Sequence, residues 1–322
     1  MCGTLLAALA LGALLAMLWG GERVSAAGVF CALFTNGECG LSSAQHAILW
    51  QIRLPRVVLA GAVGAALATA GAAYQALLRN PLAEPYLLGI SNGAAIGTML
   101  ALVFLGANAG ARTALAMAGA ALATFAVYRL ARTPAGATPE RLILSGVIIT
   151  SLLSSVIVFA TTLLDATRLR SFTFWLLGDL SGANADALLF LLPVTLIGAT
   201  VLTLQARPLN LMMLGERDAF DLGVETSRVR LVVFIAASLL VGASVAAGGS
   251  VGYVGLVVPH LVRLKWGSDN RLALPASALG GALFVIIADT LARTLIAPRE
   301  LPVGAITAII GAPLFIYLLR RG

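Results

Sequence analysis

Residues 215–225 read GERDAFDLGVE, and they stand between two long apolar runs, 187–204 and 231–247. This short stretch holds four of the chain's fourteen acidic residues, Glu216, Asp218, Asp221 and Glu225. Elsewhere charge is scarce: Asp, Glu, Lys and Arg make up 11% of the 322 residues, and apolar residues 60%. A soluble domain carries roughly a quarter of charged residues. The apolar runs are about 20 residues long, the length a helix needs to cross a hydrocarbon core. Helices satisfy their own backbone polar groups in lipid, whereas open sheets do not. The short alternating segments of a membrane β-barrel are missing. The expected fold class is an all-α polytopic membrane protein.

Loops and breakers divide the chain into about ten spans, near 5–20, 55–78, 86–105, 113–130, 142–164, 187–204, 231–247, 248–263, 272–295 and 303–319. The first reads as a membrane helix, because it lacks the basic leader and the cleavage site of a signal peptide. The eighth is rich in glycine around Pro259 and is expected to be broken or partly irregular. Residues 165–186, polar but aromatic, are expected to lie at a membrane interface. With ten spans, thirteen of the 21 basic residues fall on the side of the termini and eight on the other. Excess Arg and Lys mark the cytoplasmic side, so both termini are expected there.

Several functions are excluded or weakened by composition. Only one basic residue, Lys265, is a lysine, and no GxxxxGK[ST] precedes it, so the chain lacks a Walker A phosphate loop. His46, His260 and three scattered cysteines do not make a metal-ligand pattern. No GxSxG nucleophile elbow is present. The basic residues form no long cluster, which argues against nucleic acid. Cys31 and Cys39 fall on the outer side, where oxidation is chemically allowed.

Other features carry two readings each. The segment 207–230 is either a solvated connector or a surface helix pair for a partner's groove, with Met212, Met213, Leu214, Ala219, Phe220 and Leu222 as its apolar side. Arg53, Arg56 and Arg293 border spans on the outer side and are either snorkelling residues or charges that orient a docking partner. Asp289 and Arg293, four apart, are placed to pair. Gly89, Gly93 and Gly97 form a double GxxxG that fits close helix packing. Thr150, Ser151, Ser154 and Ser155 share one face of the fifth span, where hydroxyls serve helix packing or line a path.

Taken in order, the segments resemble permease subunits of the FecCD/BtuC family of ABC importers. They are RLPR (53–56), QALLRNPLAEPYLLGISNGAAIG (75–97), FWLLGDLSG (174–182), RPLNLMMLGERDAFDLGV (207–224), GGSVGYVGLVVPHLVRL (248–264), ADTLAR (288–293) and ELPVGAITAIIGAPLFIYLL (300–319).

The resemblance implies a BtuC-like permease that works as a homodimer in the bacterial inner membrane, surrounded by lipid. It implies two copies of a cytoplasmic ABC ATPase, which holds ATP and Mg, and a periplasmic substrate-binding protein. It implies no cofactor bound by this chain and no covalent chemistry in it. Gly215, Glu216, Asp218, Ala219, Leu222 and Gly223 match the ATPase-coupling positions. Arg53, Arg56 and Arg293 match arginines that pair with glutamates of the binding protein, with Arg299 and Glu300 beside them. The fifth span is implied to line the translocation path, and Thr138 falls where the family places a cytoplasmic gate. The cargo is implied to be haem, a ferric siderophore or cobalamin. An ion-gradient-driven secondary transporter is the alternative, and it needs acids inside the membrane.

Overall fold

The computed structural model describes residues 2–20, 24–34, 40–106, 108–133 and 136–320. The described helices are α1 (Cys2–Leu18), α2 (Ala26–Phe34), α3 (Ser43–Ala47), α4 (Leu54–Leu77), α5 (Ile90–Phe104), α6 (Ala109–Ala131), α7 (Pro139–Thr161) and α8 (Ala166–Leu176). They continue with α9 (Ala185–Leu204), α10 (Ala206–Leu214), α11 (Glu216–Asp221), α12 (Thr226–Gly248), α13 (Val254–Trp266), α14 (Asn270–Thr294) and α15 (Val303–Leu319). A minimal antiparallel pair, β1 (Arg132–Thr133) and β2 (Gly136–Ala137), joins α6 to α7. Among the described residues, six helical stretches are long and apolar enough to cross a membrane: Ser43–Leu77, α6, α7, α9, α12 and α14. The helices α1 and α5, and Val303–Leu318 of α15, are apolar but shorter.

The centre of the bundle is α4, buried over most of its length. Its sequence, LPRVVLAGAVGAALATAGAAYQAL, is dominated by alanine and glycine, which let α9, α12, α13 and α14 pack directly against its backbone. Tyr74 near its far end is fully buried and is satisfied by α12. The hydroxyl donates to the Phe234 carbonyl at 3.2 Å and lies 2.6 Å from Ser238 Oγ. Two glycines of the double GxxxG, Gly93 and Gly97, give the close helix packing expected of it, whereas Gly89 is the left-handed cap before α5 at φ 72°. A methyl group at Gly93 or Gly97 would run into the backbone of α6 at Gly119 and Leu115.

One span departs from its expected bounds, and another is irregular as expected. The third begins only at Ile90, because Pro85–Leu88 forms a 3-10 turn rather than α-helix. Residues 249–253 of the eighth are irregular, and the helix proper is α13. Their exposed backbone groups find partners from the Pro85 turn. Tyr86 Oη donates to the Val251 carbonyl at 3.1 Å and accepts from its N–H at 3.0 Å. The Glu84 carboxylate accepts from the Tyr253 N–H at 3.1 Å. Non-helical backbone inside a membrane bundle persists only with such partners.

The aromatic stretch 165–186 is largely exposed but is tied to the bundle at a few points. Phe172 and Trp175 of α8 are buried, the Asp179 N–H donates to the Gly248 carbonyl at 2.9 Å, and the Gly178 carbonyl accepts from Val303 at 3.0 Å. These bonds pin the segment between the end of α12 and the start of α15.

Candidate functional site

At one end of the bundle α10 and α11 form a compact helical corner before α12. Helix α11 stops by a Schellman motif. The Val224 N–H donates to the Ala219 carbonyl and the Gly223 N–H to Phe220, both at 2.9 Å, with Gly223 at φ 83°. Glycine tolerates that left-handed conformation without a Cβ penalty. The corner buries Met212 and Ala219 against the bundle. It leaves Leu214, Phe220 and Leu222 exposed at 74%, 69% and 64%, so the apolar face expected of this segment divides between core and surface. Asp218 is exposed and Glu216 partly so.

Two polar clamps hold this corner. Arg230 of α12 pairs with the Glu216 carboxylate and also donates to the Ala137 carbonyl at the end of β2. On the other side Asn210 of α10 donates to Asp269 at 2.6 Å, and its amide oxygen accepts from the backbone and side chain of Asn270 at 2.9 and 2.8 Å. Arg263 of α13 then donates to Asn270 Oδ1 at 2.9 Å and to the Ala72 carbonyl of α4 at 3.0 Å. The Arg271 N–H, and then the Asn210 amide, hold the Asp269 carboxyl below the usual carboxylate range. Residues 210, 230, 263 and 270 were not among the sequence candidates. The signal available for Arg230 is that it and Arg228 are the two arginines opening an otherwise apolar helix.

At the opposite end the three border arginines come together, and they are inside the protein. Arg56 Nε lies 2.9 Å from Asp289, and its NH1 lies 2.8 Å from Glu300. Arg293 Nε lies 3.0 Å from the same Asp289, which makes the expected four-residue pair. Arg53 NH1 donates to the Met17 carbonyl at 2.6 Å, and Arg293 NH2 to that of Ala16 at 3.2 Å, which closes the C-terminal end of α1. The arginines are 3–8% exposed. Within this chain the snorkelling reading does not describe them, since a snorkelling head group sits in water. Glu300, with a side chain 46% exposed, is the cluster's face toward solvent.

The hydroxyl stripe on α7 has mixed surroundings. Thr150 Oγ1 donates to the Leu87 carbonyl at 3.2 Å, and Ser155 Oγ to the Ser151 carbonyl at 3.0 Å. Asn92 of α5 donates to Ser154 Oγ at 2.8 Å and to the Thr150 carbonyl at 3.1 Å. Ser151, Ser154 and Ser155 remain exposed on this chain. Thr138 is the N-cap of α7, its Oγ1 accepting from the Arg141 N–H at 3.4 Å. His260 stacks edge-on to Phe315, centroids 5.9 Å apart. Cys31 is disulfide-bonded, and Cys39 lies outside the described residues. Among the described residues no group of three or more His, Cys, Asp and Glu is placed to hold a metal ion.

Comparison with known proteins gives this arrangement a family. The model of the FecCD transport family matches residues 8–321. The chain is 43% identical to the cobalamin import system permease BtuC of Halobacterium salinarum over 284 residues, 88% of this chain and 76% of the relative. It is 42% identical to the hemin transport system permease HmuU of Yersinia pestis over 286 residues, 85% and 83% of the two chains. It is also 45% identical to the ABC transporter permease YvrB of Bacillus subtilis, covering 85% and 79%. A solved metal-chelate type ABC transporter in an inward-facing conformation superposes with a TM-score of 0.89 at 31% identity, covering 100% of this chain and 99% of the other. The chain therefore belongs to the FecCD transport family of ABC permeases.

Proposed function

We propose that this chain is the membrane subunit of an ATP-driven importer that moves a metal chelate from the periplasm to the cytoplasm. In this reading ten segments cross the inner membrane, namely α1, α4, α5, α6, α7, α9, α12, α13, α14 and α15, with both termini cytoplasmic. Two copies form the transporter. The corner of α10 and α11 seats in a cytoplasmic ATPase, one per copy, and the Arg56 end receives the loaded binding protein. The observation that carries the proposal is the corner itself. Leu214, Phe220 and Leu222 stand in water beside Asp218, on an element clamped to α12 and α14. An apolar group of that kind rimmed by charge is the surface a partner covers.

Transport then proceeds by alternating access. ATP binding in the partner displaces the corner, and the helices it is clamped to shift around a central path bordered by the α7 hydroxyls. Relatives named for cobalamin and hemin support a chelate as cargo, with ferric siderophores in the same chemical class. An ion-gradient mechanism needs an acid inside the membrane that is able to titrate. Asp289, buried in ion pairs with Arg56 and Arg293, has the partners of a structural anchor. The test is ligand-stimulated ATP hydrolysis by the chain reconstituted with its ATPase and a binding protein loaded in turn with haem, cobalamin or a ferric siderophore. Stimulation by one ligand names the cargo. A properly assembled complex that responds to none of them sinks the chelate reading.

A further inference from the structure

Arg230 lies one turn into α12 and is 4% exposed, with a guanidinium that touches two separate elements. One nitrogen pairs with Glu216 at the start of α11, and another donates to the carbonyl of Ala137. Ala137 ends β2 and is the neighbour of Thr138, the N-cap of α7. The two bridged elements lie 14 and 93 residues from Arg230 in the chain. A buried guanidinium costs desolvation that a well-packed apolar side chain avoids, and its Nε has no acceptor. What arginine supplies is a rigid planar fork that fixes two acceptors relative to each other.

We propose that Arg230 is a positioning residue that carries the displacement of α11 to the start of α7. The inference rests on the reading of α11 as the ATPase contact. Helix α11 packs on α10 and α12, and Arg230 is its hydrogen-bonded link to the start of α7. The two clamps on the corner then have different tasks. Asn210 fastens α10 to α14 through Asp269 and Asn270. Glu216 lies beyond Gly215, on α11, and is fastened through Arg230 to Ala137 at the end of β2. The pairing of β1 with β2 is only two residues per strand and has little stability of its own. A pull on the Ala137 carbonyl therefore reaches Thr138 and the first turn of α7 through one peptide bond. Glu216 is partly exposed on its other side, so the same carboxylate is open to a partner and bound to the fork.

The experiment uses the complete complex of permease, ATPase and loaded binding protein, and measures cargo molecules transported per ATP hydrolysed. Arg230→Gln is expected to lower that ratio about tenfold while the complex assembles and hydrolyses ATP. Arg230→Lys keeps the charge but not the fork and is expected to fall between. Glu216→Gln keeps an acceptor oxygen and is expected to lose less than Arg230→Gln. A merely structural role would lower assembly, hydrolysis and transport together and leave the ratio at the wild-type value, and that result overturns the proposal. If Arg230→Gln does not assemble, Arg230→Lys decides by the same ratio. Absence of ligand-stimulated hydrolysis in the wild-type complex would instead remove the importer reading, and this proposal with it.

Discussion

Arg56 and Asp289 meet inside the bundle, 233 residues apart in sequence, with both side chains closed off from solvent and Arg293 on the same carboxylate. Asp289 therefore faces two guanidinium groups, and removing it leaves both without their main partner. Breaking a buried pair from one side costs about 3–5 kcal/mol. Asp289→Asn is expected to lower the thermal midpoint of the purified permease by many degrees. Glu300→Gln removes a half-exposed partner, for which about 0–1 kcal/mol is normal. Equal shifts for the two variants would show that Asp289 is not the anchor of the cluster.

The same geometry changes how docking is best tested. Charge reversal at Arg53, Arg56 or Arg293 removes interior contacts, so lost docking would be confounded with lost folding. Glu300→Ala leaves Arg56 on Asp289 and frees its NH1 for a partner carboxylate. Affinity for the loaded binding protein is expected to rise several-fold, chiefly in the association rate, as for other rim charges. Affinity that stays constant would separate this arginine cluster from docking.

The crossing of α5 and α6 gives a prediction about packing. Gly97→Val places its side chain against the Leu115 carbonyl of α6, and overpacking of this kind costs about 1–3 kcal/mol. Gly252→Ala has no atom nearby and ordinary backbone angles, so it is expected to be neutral. Comparing the two thermal midpoints checks the close approach. A neutral Gly97→Val would mean that the helices stand further apart.

Thr138 carries both a helix cap and a proposed gate. Loss of an N-cap costs about 1 kcal/mol, and asparagine caps as well as threonine does. If capping is the whole role, Thr138→Asn transports like wild type and Thr138→Ala is only mildly less stable. A transport defect in Thr138→Asn with unchanged stability would assign a function beyond the cap. The readout is uptake into proteoliposomes beside a thermal scan.

How much of this was legible before the structure differs from residue to residue. The apolar runs of α4, α6, α7, α9, α12 and α14 are visible because lipid forces a continuous length of apolar sequence. The corner of α10 and α11 is equally plain, since Pro208, Gly215 and Gly223 bracket charge between two such runs. Partner identity is not visible. Nothing local in RLPR tells that Arg56 will face Asp289 instead of water, because that depends on the depth at which α4 and α14 cross. Likewise the reach of Tyr86 to Val251 and of Arg230 to Ala137 follows from packing between elements far apart in the chain. The hydroxyls of α7 were legible as a stripe. Their exposure on a single chain leaves path and packing to be separated by transport measurements.

The exposed face of α11 offers the cleanest separation of folding from partner binding. Phe220 and Leu222 are 69% and 64% exposed, so replacing them removes little that holds this chain together. Surface substitutions away from special features usually change stability by about 0.5 kcal/mol or less. Phe220→Ser and Leu222→Ser, combined, are therefore expected to leave the thermal midpoint of the isolated permease unchanged. An ATPase that uses this face loses the central apolar contacts of its interface, where truncation commonly costs more than about 2 kcal/mol for a hot-spot residue. Co-purification of the ATPase with the double variant is then expected to drop at least tenfold. Ala219→Leu supplies the opposite control, because Ala219 is fully buried and an added side chain there displaces α11 from the bundle. That variant is expected to lose stability and ATPase binding together. Undiminished co-purification with Phe220→Ser and Leu222→Ser would move the ATPase contact away from this corner.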